Sequence, residues 1–193
     1  DGVFVFAPPK LRDLPMSDDA TFRSDCGRCA ALCCVALAFD RGPLFGFDKP
    51  AGEACAHLTP DCRCAIHADR RARGFAGCAT FDCRGAGQLA TALFNGLSWR
   101  DSDAVRRQML RAFALLLEIQ RLRLVLRRLG RLELLLPLEP EGGWTLAALL
   151  ATAPAAIAAA TGALTGPRAA RLAPDQGARW AGMSSVGNHG SAA

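Results

Sequence analysis

The sequence contains no tyrosine, only two lysines and only three histidines in 193 residues. Arginine supplies the other 21 of the 23 basic residues, and this bias indicates a GC-rich coding sequence more than a need for guanidinium groups. The net charge of +5 is a mild bias toward acidic surfaces or nucleic acid. It is far weaker than the clustered basic surface of a dedicated nucleic-acid-binding protein. Composition therefore gives little argument for phosphate binding.

Patterns that would mark an enzyme are also missing. The segment RGAGQ, which follows Cys83, is too short for a dinucleotide-binding loop and follows no strand pattern. We expect it instead to give the tight backbone that returns Cys83 to a site. No carboxylate pair has a catalytic arrangement, and a thiol nucleophile has only Cys62 as a candidate, with His57 as its nearest base. The sequence therefore favours a non-catalytic role.

The start of the chain has no secretory pattern. DGVFVFAPPK lacks both the basic residues and the apolar run of a signal peptide. A first residue other than methionine is expected of a processed chain or a fragment. We therefore expect an intracellular or organellar location, in a matrix, a stroma or an organelle membrane, in preference to secretion.

Cysteine is abundant, and all nine cysteines lie between residues 26 and 83. Disulfide bonds would leave one thiol over, and the adjacent Cys33 and Cys34 would each need a different partner. Metal ligation explains the spacing better, because thiolates bind both zinc and iron–sulfur clusters. We expect zinc (one or two ions) or an iron–sulfur cluster. The arginine that follows Cys83, where ferredoxin-type runs have proline, weakens the iron–sulfur interpretation.

The stretch CGRCAALCC places four of these thiols close together. In Cys26-Gly-Arg-Cys29 the two intervening residues allow a tight turn that aims both sulfurs at one ion. Cys33 and Cys34 fit the first turn of a helix that begins as this turn ends. Adjacent side chains on a helix diverge by about 100°. We therefore expect Cys33 and Cys34 to serve different ions or different corners of one cluster.

Several stretches together resemble a known family. CGRCAALCC, FDKPAGEACAHL, DCRCAIH and GFAGCATFDCRGAGQ follow one another, and FNGLSWRDSDAVRRQML continues the similarity into the helical half. Over about residues 22–120 they resemble the cysteine-cluster family of zinc- or iron-chelating proteins. The similarity is to its CxxCxxxCC variant, as found in the N-terminal module of actinobacterial pentapeptide-repeat proteins. No pentapeptide array follows Leu138, so no function of such an array is expected.

This resemblance implies metal binding by a defined set of side chains. Cys62 stands where the family pattern has no cysteine, so we treat it as an extra thiol without an assigned role. His67 is either a further ligand or a hydrogen-bond donor to a ligand. His57 is expected to pack or to lie at the surface, and His189 to have neither role. The expected metal ligands are Cys26, Cys29, Cys33, Cys34, Cys55, Cys64, His67, Cys78 and Cys83.

Composition divides the chain into four parts. We expect an extended leader (1–20), a cysteine-rich metal-binding module (21–98), a helical region (99–166) and an extended C-terminal tail (167–193). The module has the Gly, Pro and Asp content of a loop-rich domain that needs a metal staple. The predicted fold is thus a small, loop-rich, metal-stapled module followed by an α-helical hairpin, mostly α and irregular.

The helical region divides at Pro137. Residues 101–136 contain no proline and are predicted to form one long helix, with a candidate interruption at Gly130. The arginines of this helix surround most of its cylinder, which predicts packing on several neighbours. Residues 144–164 carry no charge and could just span a bilayer. The alternative is a buried, alanine-rich helix that folds back on the long helix.

These features favour a non-catalytic, metal-binding structural subunit of a larger multi-protein assembly. Its protein contacts are expected through residues 101–193 and the leader. One alternative is an iron–sulfur electron-transfer or redox protein. Others are a peripheral RNA-binding protein, for example of an organellar ribosome, and a membrane-complex subunit anchored by residues 144–164.

Overall fold

The computed structural model describes residues 22–165 of the chain. The predicted leader (1–20), the predicted tail (167–193) and His189 lie outside the described residues. Within residues 22–165 the chain is helical or irregular, and its only β pairing there is three isolated antiparallel bridges. The mostly α and irregular fold predicted from the sequence is therefore confirmed.

Five α-helices succeed one another in the described residues, with one turn of 3-10 helix before α1 and two between α4 and α5. The turns span Cys26–Arg28, Leu132–Leu134 and Leu136–Leu138. The helices are α1 (Leu32–Ala36), α2 (Ala76–Thr80), α3 (Ala86–Ala92), α4 (Asp103–Arg128) and α5 (Leu146–Thr165).

The cysteine-rich part holds only the short helices α1 to α3. Helices of five to seven residues are not stable on their own in water, so tertiary contacts must hold them. Leu32 and Val35 of α1 and Ala86 and Ala90 of α3 are buried in one core cluster with residues of α4. The loops that carry the cysteines are therefore mounted on a helical platform.

Helix α4 begins and ends where local chemistry dictates. The Ser102 hydroxyl accepts a hydrogen bond from the Val105 N–H and caps the first turn. At the other end Gly130 adopts a left-handed conformation (φ +66°), and the Arg131 N–H donates to the Leu126 carbonyl at 2.9 Å. The single helix predicted over 101–136 therefore ends at Arg128, and the Gly130 interruption is found.

Helix α4 packs on α1, α3 and α5. This arrangement agrees with the expectation that the long helix has several neighbours. Phe113 and Met109 are fully buried on it, and the core residues recur every three or four positions along the helix. They are Met109, Ala112, Phe113, Leu116, Ile119, Leu122 and Leu126.

Two polar residues of α4 are buried as well. Arg123 is 2% exposed; its Nε donates to Glu139 Oε1 at 2.6 Å, and it also donates to the Gln120 amide oxygen. Arg127 donates to the same Glu139 oxygen at 3.1 Å. The Phe22 ring lies within about 5 Å of both guanidinium groups. This cluster fastens the segment after α4, and the first described residue, to the end of the helix.

Helix α5 contains the apolar segment predicted over 144–164. It contacts α4 and buries Leu149, Ala153 and Ala160. Only 17% of its most apolar 18-residue window is buried, and the helix is long and apolar enough to cross a membrane. The helix folds back on α4, as the second interpretation of this segment expects. It is not buried by the described residues, contrary to the same interpretation.

Candidate metal centre

All nine cysteines line one cavity of about 320 Å³. His57, His67 and Arg70 also line it, and Phe113 reaches it from α4. Eight of the nine thiols are partly buried, and Cys26 is exposed. The structure thus brings together every residue that the sequence predicts as a ligand, although they come from four separate loops and short helices.

The first turn of the site is held by side chains on both of its sides. The Asp25 carboxylate accepts a hydrogen bond from the Gly27 N–H at 2.9 Å and caps the 3-10 turn. Arg63 donates to the carbonyl oxygens of Cys26 (2.6 Å) and Gly27 (3.0 Å). Because Arg63 lies immediately before Cys64, this contact links two of the cysteine-bearing segments.

Helix α3 brings Cys83 to Cys29. A Cβ atom on Gly87 would lie 2.6 Å from Cys29 Sγ and 3.7 Å from Cys83 Sγ, so both sulfurs pack on the bare backbone of this glycine. Thr91 accepts a hydrogen bond from the Ala30 N–H at 3.0 Å. The sequence prediction that RGAGQ supplies close backbone beside Cys83 agrees with this packing.

Trp99 supports the segment that follows Cys29. Its indole N–H donates to the Ala30 carbonyl at 2.9 Å, and the ring is 2% exposed. The guanidinium groups of Arg100 and Arg106 lie 4.2 and 5.3 Å from the ring. The loop that follows Cys29 is therefore fixed by buried hydrogen bonds on two sides.

The adjacent cysteines lie on α1, as expected. Ala31 precedes the helix in a left-handed conformation (φ 57°) and turns the chain from Cys29 into α1. The sulfurs of Cys33 and Cys34 are 4.0 Å apart. This separation is a thiol contact and not a disulfide bond.

Hydrogen bonds link the segments that carry Cys34, Cys55, Cys64 and Cys78. The Cys55 N–H donates to the Cys34 carbonyl at 2.9 Å. An antiparallel bridge pairs Leu58 with Cys64 and holds the Cys55 and Cys64 segments together. Arg70 then reaches the Cys78 carbonyl at 3.0 Å.

Backbone N–H groups also point at several of the sulfurs. Burial raises the pKa of Cys29, and the backbone N–H groups of Leu32 and Ala31 beside its sulfur offset part of that rise. The His57 N–H does the same for Cys55, and the Ile66 N–H for Cys64. Hydrogen bonds to sulfur favour the charged thiolate, which is the form that binds metals.

The pKa values of the thiols report which of them are neighbours. Burial raises the pKa of Cys26 and of Cys29, and the negative charge of Cys83 raises both further; the charge of Cys34 also raises the pKa of Cys26. The pKa of Cys33 is raised well above its ordinary value by its contact with Cys34, then by burial, and then by charges that include Cys29 and Cys26.

A second group of neighbours surrounds Cys34. Burial, and then the charges of Cys34, Cys55 and Cys64, raise the pKa of Cys78 to about 11. Burial also raises the pKa of Cys55 and of Cys64, and the Cys34 charge adds to both. The contact with Cys33, with the charges of Lys49 and Arg70, lowers the pKa of Cys34 to about 7.

Two basic side chains border this second group. Lys49 is 4% exposed, and its ammonium donates to the carbonyl oxygens of Val35 (3.2 Å), Pro50 (3.0 Å) and Glu53 (2.8 Å). Burial lowers the pKa of Lys49, while the charges of Cys55 and Cys34 raise it. The positive charge of Arg70 lowers the pKa of several of the thiols. Both cations favour ionised sulfur in this part of the cavity.

The donor set fits a thiolate-bound metal. All nine cysteines are free thiols. In residues 22–165 no group of three or more His, Cys, Asp or Glu side chains stands in an arrangement that could hold a metal ion. The type of donor, the N–H groups near the sulfurs and the adjacent cations suit zinc or iron. The cysteine side chains must still turn toward common points before they can close a site.

The histidines and the extra thiol differ in their surroundings. His67 borders the cavity with its side chain exposed. His57 packs against the rings of Phe75 (5.0 Å) and Phe47 (5.6 Å), which agrees with its expected packing role. Cys62 has a left-handed backbone (φ 59°) and packs partly buried against the core.

Lys49, Arg63 and Arg70 belong to the site although the sequence did not mark them. Lys49 is one of only two lysines in the chain, which was the one available signal for it. Arg63 and Arg70 are two among 21 arginines, so their type carried no signal. Their roles depend on contacts between segments that are distant in the sequence.

Comparison with known proteins gives one similarity. No family model matches the chain, and no solved structure matches it significantly. The uncharacterized protein YybG of Bacillus subtilis (strain 168) is 34% identical over 119 residues. The matched segment covers 61% of this chain and 43% of YybG, so the chain spans less than half the length of this relative.

Proposed function

We propose that this protein is a non-catalytic, metal-binding subunit of a larger assembly, with its cysteines as ligands for zinc or an iron–sulfur cluster. The observation that carries the proposal is the gathering of all nine cysteines around one cavity. Small buried cysteines without a shared role would be scattered through the core instead.

The charge distribution around the thiols supports the same function. Four thiolates around a divalent zinc ion leave a net charge of about −2, which must be offset when it is partly buried. Lys49 and Arg70 supply positive charge beside the sulfurs. When bound, the metal would cross-link loops that have little apolar core of their own, so metal binding would contribute directly to folding.

A subunit role is supported by apolar side chains on the surface of the described residues. Leu136 is 75% exposed, and Leu97, Leu129 and Leu132 are also exposed. Large exposed apolar groups that lie together mark contact surfaces more often than free surface. Leu129, Leu132 and Leu136 follow the end of α4 closely in the chain, so we infer that partner proteins contact this region.

Elemental analysis and an absorption spectrum of anaerobically purified protein together test the metal-binding function. We expect either zinc without visible absorption, or iron with labile sulfide and a visible charge-transfer band. The paired change Cys26→Ser and Cys29→Ser should lower the bound metal and the free energy of unfolding together. Arg28→Ser, in the same turn, is the matched control. Protein that contains neither zinc nor iron would refute the proposal.

Membrane association through α5 is a second candidate, favoured by the 17% burial of its apolar window. Flotation of the full chain with phospholipid vesicles tests it. Ala151→Arg with Ala158→Arg places charges on two exposed positions of α5 and should abolish flotation. Ala104→Arg, exposed on α4, should leave flotation unchanged. If the parent chain does not float, or if the variant with the two α5 arginines floats equally well, α5 does not bind the membrane.

A further inference from the structure

We propose that eight cysteines form two separate four-thiolate sites that meet at the Cys33–Cys34 peptide bond. This inference rests on the metal-binding function proposed above and goes further, because it assigns each thiol to a site. The first site comprises Cys26, Cys29, Cys33 and Cys83. The second site comprises Cys34, Cys55, Cys64 and Cys78.

The first site is assembled between α1, α3 and the turn at Cys26. Gly87 holds the sulfurs of Cys29 and Cys83 against the same backbone surface. Ser24, two residues before Cys26 in the chain, has its Oγ 3.1 Å from Cys83 Sγ. Gln88 of α3 accepts a hydrogen bond from the Asp25 N–H at 3.1 Å and so fixes the start of the Cys26 turn on the helix that follows Cys83.

The second site is assembled by a separate series of backbone contacts. Cys55 is bonded to the Cys34 carbonyl through its N–H. The antiparallel bridge between Leu58 and Cys64 adds the third member. Arg70 donates to the carbonyls of His67 (2.9 Å) and Cys78 (3.0 Å), and so joins the segment after Cys64 to the fourth member.

The division is placed between Cys33 and Cys34, whose side chains leave α1 about 100° apart although their sulfurs are 4.0 Å apart. Cys34 is joined to Cys55 by a backbone hydrogen bond, and the Leu58–Cys64 bridge and Arg70 extend this series to Cys64 and Cys78. Cys29 and Cys83 pack on Gly87 instead, and Gln88 fixes the turn that carries Cys26, so Cys33 is the thiol that completes the first set. These contacts favour the partition.

Each set of four has the ligand number of a tetrahedral thiolate site. Cys62 is left out because the contacts described above for the two sets do not involve it; its backbone is left-handed (φ 59°). The side chain of His67 is exposed, and His57 is engaged with phenylalanine rings. Neither histidine is needed to complete a set of four.

Metal counting on single variants tests the partition. Zinc-loaded protein should contain two ions per chain, Cys83→Ser one and Cys78→Ser one, while the double variant should contain none. Cys62→Ser is the matched control and should keep two. Loss of all metal in either single variant, or loss of metal in Cys62→Ser, would overturn the partition. A parent protein without metal would instead refute the metal-binding function itself.

A measurement on the unaltered chain covers the case in which a variant fails to fold. Partial removal of zinc with a chelator should give a species with one ion, which native mass spectrometry can identify. When that species is alkylated, the bound ion should protect one set of four thiols, either that of the first site or that of the second. Protected sets that mix members of the two sites would contradict the proposal.

Discussion

Gly87 has no room for a side chain, and this restriction at a single residue bears directly on the first site. Alanine would favour the helix by about 1 kcal/mol, but its Cβ would stand 2.6 Å from Cys29 Sγ. We expect Gly87→Ala to displace the thiol and to speed zinc release to a chelator by roughly tenfold or more, as for other changes beside metal ligands. Gly42→Ala meets no atom within 4 Å and is the control. Equal release rates would show that the Cys29 sulfur is not a ligand.

Lys49 is a buried cation that donates to three backbone carbonyls, so its replacement should destabilise the fold. Lys49→Met keeps the apolar stem but removes the ammonium donor from three carbonyl oxygens, of which that of Val35 keeps the Gly52 N–H. We expect the free energy of unfolding to fall by about 1–3 kcal/mol in a denaturant titration. Arg111→Met, at an exposed position, should change it by less than about 0.5 kcal/mol. A Lys49→Met protein as stable as the parent would mean that water satisfies these carbonyls.

At the level of elements, Arg123 and Glu139 connect α4 to the chain that leads into α5. Glu139→Gln would leave the buried Arg123 guanidinium without its counter-charge, and we expect a loss of roughly 2–4 kcal/mol by chemical denaturation. Arg123→Met in the same chain should restore part of that loss. Glu133→Gln, from the exposed pair with Arg131, is the matched control. A similar small effect of both glutamine variants would remove the case for a buried ion pair.

The same elements show what a sequence can predict. The break at Gly130 and the apolar α5 carry local signals, and each lies close to its predicted position. Helices α2 and α3 were not predicted, because five to seven residues show no periodicity and are held by tertiary contacts. The cysteine set was marked by residue type and order. Of the proposed partition the sequence marked only the separation of Cys33 from Cys34, because the other assignments depend on contacts between distant segments.

On the scale of the whole molecule, metal removal should affect the two halves unequally. Helices α4 and α5, with 26 and 20 residues, contain most of the helical residues described. Chelation under reducing conditions should therefore leave most of the far-ultraviolet circular dichroism but reduce the near-ultraviolet signal, because Trp99 bonds to the loop after Cys29. Complete loss of helical signal would show that α4 depends on the metal as well.

The cysteines that meet at α1 come from both ends of a long stretch of chain, and this has a consequence for how that stretch can vary. A bound ion acts as a cross-link, and the entropy lost in closing the loop between Cys34 and Cys78 grows only with the logarithm of its length. Each doubling of a loop costs about 0.6 kcal/mol. Homologous chains can therefore differ by many inserted residues between Asp40 and Lys49, or around Arg71, at little thermodynamic cost. An insertion between Cys26 and Cys29 would instead remove the tight turn itself.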